Sequence, residues 1–253
     1  MHTQHTIFIS PHLDDVTLSC GGLVWDLTRQ GHRVEIWTLM AGLPLDDHYS
    51  ELAQELHATW GISGVEAILA RREEDRAACA VLGAELRHFD WLDAIYRRDP
   101  ASGEPVVKDF SNLFNSSSEE DLVAEISTAL TAELPQRAGL VLPMGLGGHV
   151  DHRLVVNIGK QIGNVETVYA DYPYVINHFE NPLLKDGELK YIPYDLGEDA
   201  LHAWQEAVLC YKSQLSSFWR NDDETLLALR NYLAGGGGRL WRKTSLDSRR
   251  TGG

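Results

Sequence analysis

The chain has 253 residues and 43% of them are hydrophobic, so it can bury a core of ordinary size. Its 37 acidic residues against 22 basic ones give a formal net charge of -15, which argues against binding to nucleic acids or anionic membrane surfaces. Because no apolar run approaches the roughly 18 residues that span a bilayer, and the N-terminus lacks the pattern of a signal peptide, we expect a cytoplasmic protein without a membrane span.

The first predicted elements form a β-α-β unit. Residues 6–10 and 33–40 are apolar, β-branched runs typical of strands, and residues 15–31 between them have the length of a helix that ends at Gly31. Further along, the pattern predicts a helix over 63–83, a strand over 85–91 and an irregular excursion over 94–117.

The second half of the chain continues the alternation of helices and strands. Its predicted elements are an amphipathic helix over 119–135, a short buried strand over 138–144, a helix that begins near His149, a strand over 165–175 and a helix over 200–214. This alternation predicts an α/β fold with a mostly parallel sheet and helices on both faces.

The C-terminal segment 234–253 differs in composition from the rest of the chain. It combines four consecutive glycines with a polar remainder. Glycine-rich segments are flexible, and chain ends are often loosely held. We therefore expect a single α/β domain over 1–233, followed by a flexible tail over 234–253.

Two polar clusters follow predicted strands. The run "PHLDD" (11–15) comes directly after the first strand, and "GHVDH" (148–152) comes shortly after the strand at 138–144. In an open α/β sheet, ligands bind beyond the carboxyl ends of the strands. We therefore expect the two clusters to face each other across one crevice, provided that the sheet brings their strands together.

The residue types in these clusters suit a metal site. The three cysteines are far apart and lack CxxC spacing, so a metal would depend on histidine and carboxylate ligands. A catalytic zinc site takes three such ligands and leaves one position open, and His12, Asp15 and His152 supply one such set. Zn²⁺ is the expected cofactor, although the same ligands suit another divalent metal such as Fe²⁺.

The neighbouring polar residues can supply proton transfer. Asp14 and Asp15 are consecutive, so their side chains diverge, and Asp14 is the candidate general base for a water activated by the metal. His149 lies three residues before His152, close to one helical turn, and can protonate a leaving group or stabilise an oxyanion. Asp151 is a candidate to orient one of the histidine rings.

Each cluster also has a purely structural interpretation. The run "PHLDD" alone is compatible with an aspartate that caps a helix beside a coincidental histidine. A histidine pair at this spacing is found on many surface helices. The combination of both clusters, each at the end of an apolar strand, is what favours a metal site.

The pair "PHxDD" and "GHxDH" resembles the motifs of the LmbE/PIG-L family of zinc-dependent de-N-acetylases. The resemblance extends to the helix "RREEDRAACAVLG" (71–83) and to "YKSQ" (211–214), so it spans most of residues 5–215. It implies a Rossmann-like sheet and the removal of an N-acetyl group from an amino sugar or glycoconjugate. By this resemblance the metal ligands would be His12, Asp15 and His152, the general base Asp14, and the acid or electrophilic residue His149, with Asp151 beside it.

The helix that resembles the family's Arg-Glu-Glu helix begins with two arginines. Either Arg71 or Arg72 could reach the crevice and bind a sugar hydroxyl or an anionic group. We favour Arg72 for substrate binding because it directly precedes the two glutamates. In the alternative interpretation, both arginines pair with acidic neighbours on a solvated face.

Four aromatic residues near predicted strand ends could form a platform on which a sugar stacks. Core packing is the commoner role of aromatic side chains, so this platform is the weaker of the two interpretations. The four are Trp91, Tyr96, Tyr172 and Tyr174.

Two positions depart from the common family motif PHPDDE. Leu13 replaces the second proline, and Val16 replaces the glutamate. Neither position is one of the assigned ligands. The loss of the glutamate does remove an acceptor that would help to orient the ligands.

These features predict a zinc-dependent amidohydrolase. The family resemblance implies that it acts like an N-acetylglucosaminyl deacetylase, with a small acetylated amino sugar or glycoconjugate as its partner. One alternative keeps the same site but cleaves another amide, in a thiol conjugate or a lipid-linked precursor. A second alternative is a non-catalytic carbohydrate-binding module, in which Val16 marks a decayed site. The sequence is compatible with a homo-oligomer and does not identify the acceptor sugar.

Overall fold

The centre of the fold is a mostly parallel sheet. The structure, a computed structural model, describes residues 4–115, 119–163, 165, 167–177 and 189–243. Within these residues the strands are β1 His5–Ser10, β2 Arg33–Thr38, β3 Glu85–His88, β4 Gly139–Pro143, β5 Thr167–Tyr169, β6 Leu189–Ile192 and β7 Leu240–Lys243. They form one sheet in the order β3-β2-β1-β4-β5-β7-β6. The pairs from β3 to β5 are parallel, and β7 is antiparallel to both of its neighbours.

Helices cover both faces of this sheet. In the part of the chain that the structure describes they are α1 Asp15–Arg29, α2 Glu51–Trp60, α3 Gly64–Leu82, α4 Asn112–Asn115, α5 Glu120–Glu133, α6 Val150–Ile162, α7 Glu198–Val208, α8 Lys212–Leu215 and α9 Asp222–Ala234. Apolar side chains of α1, α3 and α7 form one core with the sheet, and those of α5 and α6 form another. The α/β fold with helices on both faces is therefore confirmed.

Strand β1 lies inside the sheet, which explains the apolar residues 7–9 at its middle. It pairs with β2 on one side and with β4 on the other. Side chains alternate between the two faces of a strand, so Phe8 joins one core while Ile7 and Ile9 join the other. Burial on both faces fixes the position of the segment that follows β1.

Helix α1, which carries the first polar cluster, bends at Cys20, where φ is -154° and ψ is 28°. The indole Nε1 of Trp204 in α7 donates a hydrogen bond of 2.6 Å to the carbonyl oxygen of Thr17. A Cβ atom on Gly21 would lie 2.6 Å from Cδ1 of Trp204, so glycine is needed for this close approach. The tryptophan therefore packs into the bend and holds α7 against α1.

Several predicted elements are shorter in the structure than the sequence indicates, and two of them have a clear cause. The expected strand over 165–175 forms β5 only at Thr167–Tyr169, because Asp171 turns aside to accept a hydrogen bond from Leu146 and Pro173 has no N–H for a ladder. The expected helix over 200–214 is divided into α7 and α8. Between the two helices, Tyr211 turns inward and becomes fully buried.

The C-terminal segment departs further from expectation. Within the expected flexible tail, Leu240–Lys243 forms β7, which lies between β5 and β6. Leu240 is buried in the core, so this short strand is held by packing as well as by its ladder. The boundary expected at residue 233 therefore does not match the end of the sheet, and residues 244–253 lie outside the described residues.

None of the helices described above combines the length and the apolar composition that a membrane crossing demands.

Candidate active site

The two polar clusters meet because their strands are neighbours. β1 pairs directly with β4. The next strands, β2 and β3, lie on the β1 side of this pair, and β5 lies on the β4 side. Such a switch in strand order opens a crevice at the carboxyl ends of the strands. The first cluster ends in the first turn of α1, and the second one begins α6.

The three predicted metal ligands lie in contact with one another. Asp15 stands between the two rings: its Oδ2 atom is 3.2 Å from Nδ1 of His12, and its Oδ1 atom is 3.3 Å from Nε2 of His152. The backbone N–H of His12 also donates to Oδ2 of Asp15 over 2.7 Å, which fixes the carboxylate. All three side chains are buried.

The donor atoms of this set fit a divalent metal. The ring atom Nδ1 of His152 lies 2.6 Å from Oδ1 of Asp171, whereas its buried Nε2 has no hydrogen-bond partner among the described residues. A carboxylate at Nδ1 holds the proton there, so a neutral ring directs its Nε2 lone pair toward Asp15. A lone pair and a carboxylate oxygen at 3.3 Å attract each other only when a cation lies between them.

The carboxylates around His12 and His152 also favour a positive charge in the cluster. Burial lowers the pKa of both His12 and His152, but the carboxylates outweigh it. Asp93, Asp15 and Asp151 raise the pKa of His12 well above its ordinary value, and Asp15 and Asp171 raise the pKa of His152 to about 10. In the metal-free protein, protons supply the charge that a divalent cation would supply.

Two groups of side chains, neither of which includes Asp15, have ligand atoms that all lie within 4.8 Å of one another. One contains His12, His149 and His152, and the other contains His12, Asp93 and Asp151. In the second group, the carboxylate of Asp151 already accepts from the backbone N–H of Ala94. His12 is common to both groups and to the predicted set.

Asp14 occupies the N-cap position of α1 but does not cap it. Its side chain makes no hydrogen bond to the helix, so the interpretation of this residue as a simple cap is wrong. With φ at 155°, it is the non-glycine residue with positive φ in the described part of the chain, a backbone strain often found at functional sites. Burial and the charge of Asp15 raise the pKa of Asp14 to about 7, although Arg71 opposes this shift.

His149 is the N-cap residue of α6. Its Nδ1 atom accepts a hydrogen bond of 3.2 Å from the backbone N–H of Asp151, so the proton of a neutral ring lies on Nε2. Burial and the nearby His12 lower the pKa of His149 to about 3. The ring therefore stays neutral at ordinary pH and lies edge-on to His12, with ring centroids 4.9 Å apart.

The ring that Asp151 contacts is that of His12. The Oδ2 atom of Asp151 lies 2.9 Å from Nε2 of His12 and accepts a hydrogen bond from the backbone N–H of Ala94. Its other oxygen forms an ion pair of 2.6 Å with Arg97. The side chain of Asp151 has no exposed surface. This residue thus connects the second cluster to the first.

The two arginines of α3 differ in what they contact. Arg72 donates to the carbonyl oxygen of Ala41 and to the exposed carboxylate of Asp90. Arg71 is buried, lies over the ring of Trp60, and brings its guanidinium to 4.0 Å from Asp14. The structure therefore brings Arg71 next to a predicted catalytic residue, while the assignment of Arg72 to substrate stays a prediction.

The aromatic residues and the two supportive motifs have mostly structural contacts. Of the four aromatic candidates, Tyr174 contacts a predicted ligand, with its ring centroid 5.5 Å from that of His152. The motif at 211–214 binds the α3 motif: the hydroxyl of Tyr211 donates to Asp75 over 2.5 Å, and Ser213 donates to Glu74.

The two departures from the family motif are explained by packing. Leu13 lies in a small apolar cluster, and Val16 has no exposed surface and lies in the core. Both predicted ligand rings nevertheless have a carboxylate partner, since Asp151 contacts His12 and Asp171 contacts His152. The missing glutamate thus leaves neither ring without an acceptor.

Sequence reasoning missed three residues that shape this site. Asp171 follows β5 as "PHLDD" follows β1, so the rule that polar residues follow strand ends could have found it. Asp93 and Arg97 lie in the irregular segment beyond β3, where no pattern indicates which side chains turn inward. Asp93 brings a carboxylate oxygen to 3.8 Å from His12.

Comparison with known proteins agrees with this geometry. The family model described as PIG-L, GlcNAc-PI de-N-acetylase, matches residues 7–162. A 2'-N-acetylparomamine deacetylase from Niallia circulans is 32% identical over 241 residues, which cover 87% of this chain and 84% of that protein.

Solved structures of deacetylases have the same fold. The zinc-inhibited form of teicoplanin deacetylase Orf2 superposes with a TM-score of 0.77 at 26% identity, covering 96% of this chain and 100% of that one. The A40926 pseudoaglycone deacetylase Dbv21 superposes with a TM-score of 0.73 at 28% identity, covering 95% of this chain and 97% of that one. The chain therefore belongs to the PIG-L family of GlcNAc-PI de-N-acetylases.

Proposed function

We propose that this protein is a zinc-dependent deacetylase that removes the N-acetyl group from an amino sugar of an aminoglycoside-type compound. The coarser part of this statement follows from family and relatives: the protein is an N-acetyl amino-sugar deacetylase of the amidohydrolase class. The observation that carries the proposal is the buried His12–Asp15–His152 set beside Asp14, a buried carboxylate whose side chain does not cap its helix.

His12, Asp15 and His152 are the residues that would hold the metal, since the Nε2 atom of His152 has no other partner among the described residues. A bound divalent metal would supply Lewis acidity, which polarises the acetamide carbonyl and lowers the pKa of a water molecule. Zinc suits two imidazole nitrogens and a carboxylate. Because one relative is named as a zinc-inhibited form, the experimental test includes Fe²⁺ and Co²⁺.

Asp14 is the general base in this proposal. In the metal-free protein, burial and the charge of Asp15 raise the pKa of Asp14 to about 7, and a bound cation would favour the ionised carboxylate that takes a proton from water. Because its side chain does not cap α1, the carboxylate is available to a water molecule. The guanidinium of Arg71, 4.0 Å away, keeps a part of the carboxylate population ionised.

His149 acts as a hydrogen-bond donor to the oxyanion of the tetrahedral intermediate. Its Nδ1 atom is engaged by α6, so Nε2 carries the proton that points away from the helix. Because its pKa is about 3, the ring does not carry a second proton to give to the amine. The proton that Asp14 takes from water is then the one that the departing amine receives. Acetate and the free amino sugar leave.

Arg71 is better placed than Arg72 to contact a substrate. Its Nε atom is buried without a hydrogen-bond partner among the described residues, and its guanidinium lies beside Asp14. A sugar hydroxyl next to the acetamide would satisfy that donor. Arg72 remains the alternative that the sequence favours.

An acidic cavity near the site supports a cationic amino sugar. This cavity of about 1020 Å³ is not lined by any predicted ligand or by Asp14, and it approaches the site through its lining residue Arg97, which contacts Asp151. The acidic residues that line the same cavity are Asp46, Asp99, Glu104, Glu119, Glu120, Asp121 and Glu125. Such a lining attracts amino groups, as does the net charge of -15. The relative named for 2'-N-acetylparomamine supports the same substrate class.

A second candidate substrate is an amino sugar carried by a large aromatic aglycone. A separate cavity of about 580 Å³ is lined by Tyr172, Tyr174, Phe218, Trp219 and Tyr232, and the described residues of its lining include no charged side chain. Tyr174 contacts His152, so this cavity adjoins the site. The names of the teicoplanin and A40926 deacetylases agree with this alternative.

The test is metal analysis of the undialysed protein together with acetate release from three substrates. These are 2'-N-acetylparomamine, an N-acetylglucosaminyl glycopeptide pseudoaglycone and N-acetylglucosamine, each assayed with and without chelator and after reloading with Zn²⁺, Fe²⁺ or Co²⁺. We expect about one divalent metal per chain and the highest kcat/KM on the paromamine derivative.

Other results would redirect the proposal in distinct ways. Preference for the pseudoaglycone would favour the aromatic cavity, and a preference for reloading with Fe²⁺ would replace zinc. A protein that binds no metal and releases no acetate would contradict the proposal as a whole.

A further inference from the structure

A series of mostly buried polar contacts connects the residue that precedes α5 with the predicted ligand His12. Its members are Glu119, Arg97, Asp151 and His12. Glu119 accepts two hydrogen bonds from Arg97, over 3.0 Å at Nε and 2.6 Å at Nη2. Arg97 pairs with Oδ1 of Asp151 at 2.6 Å, and Oδ2 of Asp151 lies 2.9 Å from Nε2 of His12.

The geometry of this series requires an arginine. The guanidinium of Arg97 serves two carboxylates at once and also donates through Nη1 to the carbonyl oxygen of Leu92 over 2.8 Å. Its side chain is only 7% exposed. A lysine ammonium is a single point charge and cannot keep the two-pronged contact with Glu119 while it reaches Asp151.

The position of Asp151 decides how the ring of His12 is oriented. An ionised carboxylate only accepts hydrogen bonds, so the Nε2 atom of His12 must carry the proton that faces Asp151. The Nδ1 atom is then left to face Asp15 at 3.2 Å. If Asp151 lost its partner Arg97, it would be a buried carboxylate without its cation and free to shift away from His12.

We infer that Arg97, held in place by Glu119, is a positioning residue for the metal site: it fixes Asp151, which in turn sets the ring of His12 with Nδ1 toward Asp15. Arg97 contacts none of the three predicted ligands, and it acts through Asp151. The inference rests on the proposed function, because it assumes that His12 and Asp15 hold a metal.

The experiment compares Arg97→Lys and Glu119→Gln with the wild-type protein. The control is Arg230→Lys, which alters an exposed two-pronged pair with Glu198 elsewhere on the surface. For each folded protein, the zinc dissociation constant is measured by competition with a chromophoric chelator. The protonated nitrogen of His12 is then identified by ¹⁵N NMR of the zinc-loaded, histidine-labelled protein.

We expect Arg97→Lys to weaken zinc binding by about 10- to 100-fold, as losses of partners behind metal ligands do. Glu119→Gln should weaken it less, and Arg230→Lys should leave it unchanged. In the zinc-loaded wild type, His12 should carry its proton on Nε2, and in zinc-loaded Arg97→Lys the ¹⁵N and ¹H shifts of that N–H should move, because its acceptor Asp151 is no longer held. A lower folded fraction alone would change neither the His12 signals nor the zinc affinity of the protein that remains folded.

Three outcomes would overturn the inference. If the wild type binds zinc tightly and Arg97→Lys has the same affinity and the same His12 signals, the inference fails while the proposed function stands. If Arg97→Lys does not fold, Glu119→Gln decides, and an affinity equal to that of the control overturns the inference. If the wild type binds no zinc, the proposed metal site fails, and the inference fails with it.

Discussion

The carboxylate of Asp151 and the imidazole of His12 are 139 positions apart in the chain, and their atoms Oδ2 and Nε2 lie 2.9 Å apart. This contact joins the two polar clusters into one buried unit. It exists because β1 and β4 are neighbours in the sheet, so the segments after them are brought together. A change in either cluster is therefore expected to disturb the other.

Replacement of Asp14 by asparagine tests the general base. The change keeps the shape of the side chain but removes its ability to take a proton, so we expect kcat to fall by about 10²- to 10⁴-fold. Metal content should stay unchanged, because Asp14 is not one of the predicted ligands. Acetate release and elemental analysis measure the two quantities, with Asp26→Asn in the same helix as the control. Full activity of Asp14→Asn would rule out this role.

Replacement of His149 tests whether this residue donates a hydrogen bond to the oxyanion or binds the metal. We expect His149→Ala to lower kcat by about 10²- to 10³-fold, the usual effect of losing an oxyanion donor, and to keep its metal. His149→Gln, whose amide N–H₂ can still donate, should retain more activity than the alanine variant. Loss of metal from His149→Ala would instead favour the group of His12, His149 and His152 as the ligands.

Replacement of Asp171 tests the partner of a predicted ligand. Asp171 holds Nδ1 of His152 at 2.6 Å and accepts a hydrogen bond from the backbone N–H of Leu146. Asp171→Asn keeps one acceptor oxygen but loses the charge, so we expect metal affinity to fall by about 10- to 100-fold. Chelator competition measures this affinity. Affinity equal to that of the wild type would mean that the carboxylate does not support the ligand.

Metal removal should make stability depend on pH. In the metal-free protein the pKa of His152 is raised from 6.5 to about 10, so its stabilising contribution is fully present below pH 6.5 and is lost as pH rises toward 10. Asp14, with a pKa of about 7, has largely completed its own titration above that pH. Thermal unfolding of metal-free protein at pH 7, 8 and 9 should therefore give a falling Tm.

The metal-loaded protein is the control for this pH dependence. A ligand nitrogen that binds metal carries no proton to lose, so the Tm of the loaded protein should fall less over the same range. The stabilisation by metal should thus grow with pH. Parallel curves for the two forms would contradict the assignment of His152 as a ligand.

Regular patterns made the strands β1, β2 and β4 and the proximity of the two polar clusters predictable. The strands at 6–10, 33–40 and 138–144 have apolar runs that match β1, β2 and β4, because burial on both faces demands such runs. The two clusters could be placed at the same edge of the sheet for the same reason. Their contact then depended only on whether β1 and β4 are neighbours, which they are.

What could not be predicted depends on contacts between distant parts of the chain. Strand β7 follows four glycines and has four residues, so its sequence resembles a loose tail, and only its pairing with β5 and β6 makes it a strand. Arg97 and Asp93 lie in an irregular segment, where side-chain direction follows no period. Arg71 and Arg72 are adjacent on one helix, and which one turns inward depends on Trp60 and Asp14 beyond that helix.

The bend in α1 is supported by residues that lie beyond the part of the chain that matches the family. The family match ends at residue 162, yet Trp204 and Tyr211, which lie beyond it, complete the hydrogen bonding of Thr17 in the helix that follows the first polar cluster. A truncation at residue 162 would remove the indole donor from the Thr17 carbonyl and empty the space that the indole fills. The segment that matches the family is therefore shorter than the segment that the fold of this site requires.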